Sequence, residues 1–454
     1  MPATQAISAT TPAGFARTLG RRGRRALVLA CAPCVLTALM AASPAAAQSV
    51  LNNNYGQAVF GEQRNIGVRD RPRPDYDALG IRSGAFLLFP KVTVEGAYDD
   101  NIYAVDTNKV GSGIVSGAAE VNAISNWSRH KLGAVAKIGR SEYTDQTSES
   151  NTTYGVGANG QLDVQRDFNF TGLARYDHQI ESRTASGTPL SAQKPIEYNA
   201  TQFDFGASKV FNRLRIKPAF SYRNIDFDDY ETNSGVKVSQ AFRHEKDYNT
   251  ALQVDYAVSP DTSVFVQASG DWQRFDAPLT AANPIDRNSG GYQLNVGADF
   301  DLTQLARGHI QAGYLKHDYD DSRLPGISSI GLNGSIEYYP TQLLTVTFTG
   351  SRAVGATGLT TTAGYLATDG GVQADYELLR NLILTGKAAF GHDSYQGIDR
   401  TDKRFIGSVG ATYLVNRSIG LNLLYTRQDQ SSNGVAKGPE FGINRFSVAL
   451  TLQR

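Results

Sequence analysis

A period-two alternation of apolar and polar residues constrains this chain more than any other feature. From residue 91 to residue 98, every second residue is apolar or glycine and the residues between them are mostly polar. Successive side chains of a strand point to opposite faces, so this stretch predicts a strand with one apolar and one polar face. The same unit recurs to the C-terminus, for example at residues 154–164, 214–222, 292–300, 330–338 and 446–452.

The connections between these stretches are of two alternating kinds. Eight short ones lie near residues 126–129, 166–167, 212–213, 259–261, 303–307, 340–342, 380–381 and 416–417. Nine longer polar ones lie near residues 99–112, 143–152, 183–197, 227–242, 276–289, 318–327, 353–364, 392–402 and 429–442. These joints predict about 18 strands, within a range of about 16–18, with both termini on the side of the short turns.

This layout is typical of an all-β protein, a closed antiparallel transmembrane β-barrel with short periplasmic turns and long extracellular loops. A soluble β-sandwich or solenoid is the alternative, but sandwich strands are usually about five or six residues long. Aromatic rings also recur near the strand ends on the apolar face, where rings suit the bilayer interface. They are Tyr98, Tyr154, Tyr176, Tyr222, Tyr292, Tyr314, Tyr338 and Phe390.

The first 47 residues have the pattern of a secretory signal peptide. A basic segment at residues 21–25 precedes an apolar stretch at 26–42, and Ala45-Ala46-Ala47 forms a cleavage site before Gln48. The stretch is interrupted by proline and too short for a membrane anchor. Both cysteines lie within it, so the exported chain has no thiol chemistry and no disulfide.

Three segments follow from these patterns: a signal peptide at 1–47, a periplasmic N-terminal arm at 48–84 and an outer-membrane β-barrel at 85–454. The arm is rich in arginine and proline, which is typical of a linker, although a docking segment or partial plug is the alternative. Five arginines fall in the signal peptide, which leaves 39 basic against 43 acidic residues elsewhere. This balance argues against a nucleic-acid partner.

Four segments of the arm and the first strand form a distinctive series: Arg71-Pro72-Arg73-Pro74-Asp75-Tyr76, Gly80-Ile81-Arg82-Ser83-Gly84-Ala85-Phe86, Phe89-Pro90 and Tyr98-Asp99-Asp100-Asn101-Ile102. They resemble the amino-terminal signature of a family of porin-like outer-membrane β-barrel proteins of Gram-negative bacteria. Members of this family often accompany genes for exopolysaccharide synthesis and export. The resemblance therefore implies a barrel that takes part in polysaccharide export across the outer membrane, and it carries over no catalytic residues.

Charged residues of both signs on the polar face predict a water-filled interior. The candidate lumen-lining residues are Glu95, Glu120, Lys137, Asp163, Arg175, Arg215, Lys217, Arg223, Asp255, Asp271, Asp299, Glu337, Asp375 and Lys387. Mixed charge suits a polysaccharide or small hydrophilic solutes. A general or solute-specific diffusion porin is therefore the alternative to an export channel.

The sequence gives no positive sign of an enzyme, a cofactor or a metal. It contains none of the short motifs of serine hydrolases, zinc proteases or phosphate-binding loops, and its six histidines show no metal-ligand spacing. Acidic pairs at 99–100, 228–229 and 320–321 are either solvated strand ends or ligands for cations that bridge lipopolysaccharide. The expected partners are outer-membrane lipid, lipopolysaccharide and a periplasmic polysaccharide-export protein.

Overall fold

The computed structural model describes residues 66–189, 191–278, 285–302, 305–359, 362 and 364–454. The predicted signal peptide and the first part of the arm, through residue 65, lie outside the described residues. Two short 3-10 helices, Thr147–Glu149 and Ala241–Arg243, interrupt a structure otherwise built from strands and loops. Within the described part of the chain, no helix is both long and apolar enough to cross a membrane.

Eighteen long strands form the molecule, and we number them β1 to β18 along the chain. They are β1 Phe86–Asp99, β2 Ser112–Ser125, β3 Lys131–Tyr143, β4 Asn151–Gln165, β5 Phe168–Ile180, β6 Glu197–Phe211, β7 Leu214–Phe227, β8 Glu245–Ser259, β9 Thr262–Phe275, β10 Ser289–Leu302, β11 Ala306–Tyr319, β12 Ile327–Thr341, β13 Leu344–Ala356, β14 Gly364–Leu379, β15 Leu382–Tyr395, β16 Thr401–Leu414, β17 Ile419–Asn433 and β18 Phe441–Gln453. A short strand, Ile81–Ser83, pairs with the beginning of β1.

The sheet closes on itself. Each strand pairs antiparallel with its neighbours in sequence, and β1 pairs with β18 from Lys91↔Gln453 to Asp99↔Arg445. Closure leaves no long edge whose backbone groups would lack partners, which is the condition for a sheet inside a bilayer. The predicted closed antiparallel barrel of about 18 strands is confirmed.

All eight predicted short connections lie at one end of the barrel, which we call the turn end, and the nine longer ones lie at the other, the loop end. The β6–β7 turn consists of two residues, and its Asn212 has a φ of 54°, a left-handed conformation that asparagine tolerates well. Three loops are shorter than predicted, because β13 extends to Ala356, β15 to Tyr395 and β17 to Asn433.

Apolar side chains cover the outside of this barrel instead of forming a central core. Large apolar residues of every long strand are exposed, for example Val94, Val156, Val266 and Val296. With strands about 4.8 Å apart and tilted by about 40°, eighteen strands enclose a ring roughly 35 Å across between backbones. A ring of this size leaves space inside, so what fills that space decides what the molecule can do.

Candidate functional site

The fourteen candidate residues all alternate along their strands with exposed apolar residues, and so lie on the inward face. Seven of them are buried, namely Glu95, Glu120, Arg215, Lys217, Asp255, Asp299 and Asp375. The side chains of Lys137, Asp163, Arg223, Asp271, Glu337 and Lys387 are half-buried, and that of Arg175 is exposed. That they line a path for a transported molecule stays a prediction.

The structure brings three of these residues together on β7 and β8. Asp255 is fully buried, and its Oδ2 accepts a hydrogen bond from Arg215 Nε at 2.9 Å and lies 3.3 Å from Lys217 Nζ. Register explains the contact, since Asp255 pairs with Arg215 across the two strands. Two cations and one carboxylate thus share a site away from water, where each depends on the others.

Amide side chains extend this buried network over β8, β9 and β10. Gln253 donates to Asp255 Oδ1 at 2.7 Å, Gln267 donates to Gln253 at 3.4 Å, and Asn295 donates to Gln267 at 3.2 Å. Farther along β10, Asp299 Oδ1 contacts His309 Nδ1 of β11 at 2.6 Å. The inward face of this wall is therefore occupied by side chains that bind one another.

The opposite wall, from β16 through β18 to β3, borders a cavity of about 660 Å³. Its charged side chains are paired. Lys91 Nζ lies 3.5 Å from Glu120 Oε2, and Arg445 donates to Glu95 Oε1 at 2.9 Å. Lys137 Nζ of β3 lies 3.1 Å from Asp177 Oδ1 of β5, so charges of both signs alternate closely along this wall and into the neighbouring strands.

At the turn end, residues 66–77 enter the barrel, and we call them the docked arm. Val68 is fully buried and donates its N–H to Thr345 Oγ1 at 2.9 Å. Arginines at every second position then meet the carboxylates of β14. Arg69 donates to Asp375 at 2.7 Å and Arg71 to Glu377 at 3.0 Å. The arm is not a strand, since residues 68–70 and 74–76 form turns. The chain nevertheless brings these arginine side chains to the same wall.

Arg73 fixes the docked arm most firmly, because its side chain is only 5% exposed. Its guanidinium donates to Glu377 at 3.1 Å and to the carbonyl oxygens of Val68 and Arg380 at 2.7 and 3.1 Å. Farther along, Arg417 donates to the carbonyl oxygen of Pro74 at 2.8 Å. The arm therefore binds to the β14–β15 and β16–β17 turns.

Asp70 of the docked arm lies in a less favourable environment, although its Oδ2 is 3.7 Å from Arg307 Nη2. Its pKa is raised, first because partial burial disfavours the charged carboxylate and second because Glu337 repels it. Arg307 and Arg69 act in the other direction without cancelling these effects. The ionised Asp70 is therefore less stable in the docked arm than it would be in water.

At the loop end, residues 181–189 and 191–196, which we call the strap, cross the barrel. Ser186 is hydrogen-bonded to Tyr395 at the end of β15 and lies 3.4 Å, oxygen to oxygen, from Thr357. The strap joins β5 to β6, and β15 is nine strands from β6, the largest separation that a ring of eighteen strands allows. The contact therefore spans the interior.

Two buried arginines hold the neighbouring loops against the strap. Arg243 forms a two-pronged contact with Glu181 and stacks 3.9 Å above the Phe227 ring. Arg287 donates to the carbonyl oxygen of Thr357 at 3.0 Å and stacks 4.1 Å above Phe275. Burial lowers the pKa of Arg287 to about 10, which still leaves it charged at neutral pH.

Aromatic rings also point inward near the loop end, on the face that is otherwise polar. Those bordering the cavity are Tyr143, Tyr198, Phe227, Phe275 and Tyr365. These rings and the strap are not among the sequence predictions, whereas a docking segment or partial plug is one of the two alternatives given for the arm. Two signals were present, namely the departure of these aromatics from the alternation of polar and apolar faces and the spacing of Arg69, Arg71 and Arg73.

The acidic pairs named from the sequence have protein partners in the structure. Asp100 accepts hydrogen bonds from Asn444 at 2.6 and 2.7 Å, and Asp229 accepts one from the Gln240 N–H at 2.8 Å. Asp321 binds Arg323, which lowers the pKa of its carboxyl group. These contacts fit solvated strand ends better than metal sites.

A family model described as "Putative beta-barrel porin 2" matches residues 73–454. No curated protein matches the chain.

Several solved structures are similar at low identity. A mutant of the ferric enterobactin receptor PfeA from Pseudomonas aeruginosa is 7% identical, with 81% of this chain and 80% of that chain covered and a TM-score of 0.45. The siderophore receptor PirA from Acinetobacter baumannii is 7% identical, with 80% of each chain covered and a TM-score of 0.46. OccK5 (OpdH) from Pseudomonas aeruginosa is 12% identical, with 81% and 98% covered and a TM-score of 0.42.

Proposed function

The chain belongs to this family of β-barrel porins, and we propose that its barrel takes part in carrying an exopolysaccharide across the outer membrane. Family membership makes the protein a porin-like channel of the Gram-negative outer membrane rather than an enzyme. In such barrels the short turns face the periplasm and the long loops face the exterior. The docked arm then lies at the periplasmic mouth and the strap lies toward the cell surface.

The observation that carries the proposal is that segments of the chain itself occupy the barrel from both ends. The arm binds β14 through Arg69, Arg71 and Arg73, and the strap reaches Tyr395 across the interior. A general diffusion porin works with a permanently open lumen. A polymer exporter needs a wide lumen only while a chain passes, and two displaceable segments in a wide barrel suit that task.

The cavity between these segments also suits a carbohydrate. Aromatic rings such as Tyr198 and Phe275 offer flat apolar faces, on which the C–H faces of sugar rings can pack. Paired charges such as Lys91–Glu120 and Glu95–Arg445 offer donors and acceptors to hydroxyl groups. Because opposite charges are paired, neither sign of ion is held strongly enough to stop a hydrated polymer.

The arm provides a route for a periplasmic export protein to act on the channel. Residues 48–84 remain attached to β1 when the arm leaves the wall, so a partner can bind them without leaving the periplasm. Carboxylates on such a partner would compete with Asp375 and Glu377 for the three arginines. Docking of the partner and release of the arm would then be one event.

A reversible lock on the strap tests the proposal. Ser186→Cys together with Thr357→Cys places two thiols where the hydroxyl oxygens lie 3.4 Å apart, in an exported chain with no other cysteine. Under oxidising conditions we expect this variant to stop secreting surface polysaccharide, and a reductant should restore secretion. The single variants Ser186→Cys and Thr357→Cys are the matched controls and should secrete normally under both conditions.

Deletion of the gene separates an export channel from a diffusion porin. If the barrel exports polysaccharide, a strain lacking this gene should lose surface polysaccharide and regain it when the wild-type gene is restored. Normal secretion by the deletion strain, together with rapid swelling of liposomes containing the purified wild-type protein in a disaccharide, would support the diffusion porin. Polysaccharide secretion that continues with the strap locked would contradict the proposed movement.

A further inference from the structure

Three side chains that can bind a metal meet on the outer rim of the barrel, away from the interior. Asp226, His244 and Asp276 each offer one ligand atom, and these atoms lie within 4.8 Å of one another. His244 Nδ1 is 3.9 Å from Asp226 Oδ1. None of the three belongs to the docked arm, the strap or the cavity, so their grouping is independent of the proposed function.

Strand register produces the grouping. Glu245 pairs with Ile225 of β7 and with Phe275 of β9. One residue farther toward the loop end on each strand, His244 therefore lies between Asp226 and Asp276. The three residues come from adjacent strand ends but lie 18 and 32 positions apart in the sequence. A spacing of that kind carries no metal-binding motif, which is why inspection of the histidines alone misses the site.

The site lies at the height of the lipid headgroups. Asp226, His244 and Asp276 have the outward parity of Tyr222, Tyr248 and Trp272, which form one row across the same strands. This aromatic row marks the interface between the bilayer and water. Asp226, His244 and Asp276 lie four residues beyond it along their strands, at about 3.4 Å per residue. The phosphate groups of outer-leaflet lipid occupy this layer.

The histidine is oriented as a ligand. Its Nε2 contacts the carbonyl oxygen of Phe227 at 2.9 Å. A carbonyl oxygen only accepts, so Nε2 carries the proton and Nδ1 keeps a free lone pair on the side of Asp226. A backbone carbonyl that holds the second ring nitrogen is the usual support of a metal-bound histidine.

We propose that Asp226, His244 and Asp276 bind a divalent transition-metal ion of the Zn²⁺ type. One imidazole nitrogen and two carboxylate oxygens form a three-ligand set that suits Zn²⁺, whereas Mg²⁺ and Ca²⁺ prefer oxygen ligands alone. Three protein ligands leave a coordination position open toward the lipid phosphates. A bound ion would tie the ends of β7, β8 and β9 to the outer leaflet.

Lys246 competes with a metal ion for the carboxylate of Asp276. Its Nζ lies 2.6 Å from Asp276 Oδ1, so a metal ion has to displace this ammonium group from one carboxylate oxygen. Replacing Lys246 with alanine removes the competing cation and leaves all three ligands in place. We therefore expect Lys246→Ala to bind the ion more tightly than the wild type.

Isothermal titration of the full exported chain in detergent micelles with Zn²⁺ tests the proposal. We expect one saturable site, and a loss of affinity of about tenfold or more in His244→Ala. His178→Ala is the matched control, because His178 also faces outward at the loop end and has one carboxylate, Glu197, at 3.5 Å. The control should bind like the wild type.

Further variants guard against a folding defect. Asp226→Asn and Asp276→Asn keep the shape of the site and should each weaken binding, while all variants keep the heat-dependent gel mobility of a folded barrel. Addition of lipopolysaccharide to the micelles should tighten Zn²⁺ binding to the wild type and leave His244→Ala unchanged. The absence of saturable Zn²⁺ binding in the wild type, or equal affinities of His244→Ala and His178→Ala, would overturn the proposal.

Discussion

Buried charged residues on the inward face matter more for the stability of the fold than exposed charged residues at the rim. Asp255 is fully buried and balances both Arg215 and Lys217. Asp318 is 57% exposed, and its ion pair among the described residues is with Lys316. A buried charge without its partner is costly, because the interior solvates it poorly. An exposed pair contributes little, because water solvates each partner well.

Asp255→Ala should therefore lower the free energy of unfolding by about 3–5 kcal/mol, because two buried cations lose their counterion. Asp318→Ala is the control and should change it by no more than about 0.5 kcal/mol. Urea titration in lipid vesicles, followed by gel mobility, measures both. Equal effects of the two substitutions would show that the Asp255 network is not isolated from water.

Asp70 gives the docked arm a dependence on pH. Its pKa is raised in the folded protein, so protonation favours docking. This stabilisation is fully present below the ordinary pKa of 3.8 and is lost as the pH rises through the raised pKa of the docked state. Asp70 by itself therefore makes docking less stable at neutral pH than in acid, whereas the ion pairs of Asp375 and Glu377 with the arginines require ionised carboxylates.

Asp70→Asn should strengthen docking at neutral pH, because it removes a carboxylate that burial and Glu337 disfavour. Hydrogen exchange of residues 66–77 should become slower in the variant at pH 7, after correction for intrinsic exchange rates. The difference from the wild type should shrink as the pH is lowered toward 3.8. Asp75→Asn, an exposed position in the same segment, should leave exchange unchanged. Faster exchange in Asp70→Asn would contradict this interpretation.

At the scale of elements, the strands and the strap obey different constraints. A strand is determined locally, because alternation alone decides which side chains face the lipid. The position of the strap depends on a close approach to another loop. Gly187 has a φ of 87°, and a Cβ atom there would lie 2.7 Å from the carbonyl carbon of Gly358.

Gly187→Ala should push the strap off the opposite wall and raise the single-channel conductance in planar bilayers. Gly235→Ala is the matched control, since Gly235 also has a positive φ of 81° but a Cβ there would meet its nearest atom at 3.6 Å. Both variants carry the same backbone strain of about 1 kcal/mol, so a difference between them reports the contact. Conductance of Gly187→Ala equal to that of the control would mean that the strap does not limit the lumen.

At the scale of the whole molecule, ring closure brings distant parts of the chain together. Pairing of β1 with β18 joins Glu95 to Arg445 across 350 residues. It also places the arm, which precedes β1, beside β13 to β15, where Val68 meets Thr345. Between β1 and that wall, the arm contacts Arg417 and Arg380 in turns at the turn end.

Replacement of Arg69, Arg71 and Arg73 with alanine should release the arm and increase the conductance of the barrel, because Asp375 and Glu377 lose their cationic partners. Arg82→Ala is the control, since the exposed Arg82 has no hydrogen bond or ion pair within the described residues. The triple variant should also pass larger sugars in liposome swelling. Unchanged permeability would indicate that the arm lies aside from the conducting path.

The sequence by itself determined the strand number, the closed antiparallel barrel and the inward parity of residues such as Glu95 and Asp255. It could do so because strand parity is a local property that repeats every two residues. The tertiary structure decided that Arg73 and Glu377 pair, that Ser186 reaches Tyr395, and that His244 lies between two aspartates. These contacts depend on the closure and register of the ring, which join residues far apart in the chain, so local patterns in the sequence do not show which residues become partners.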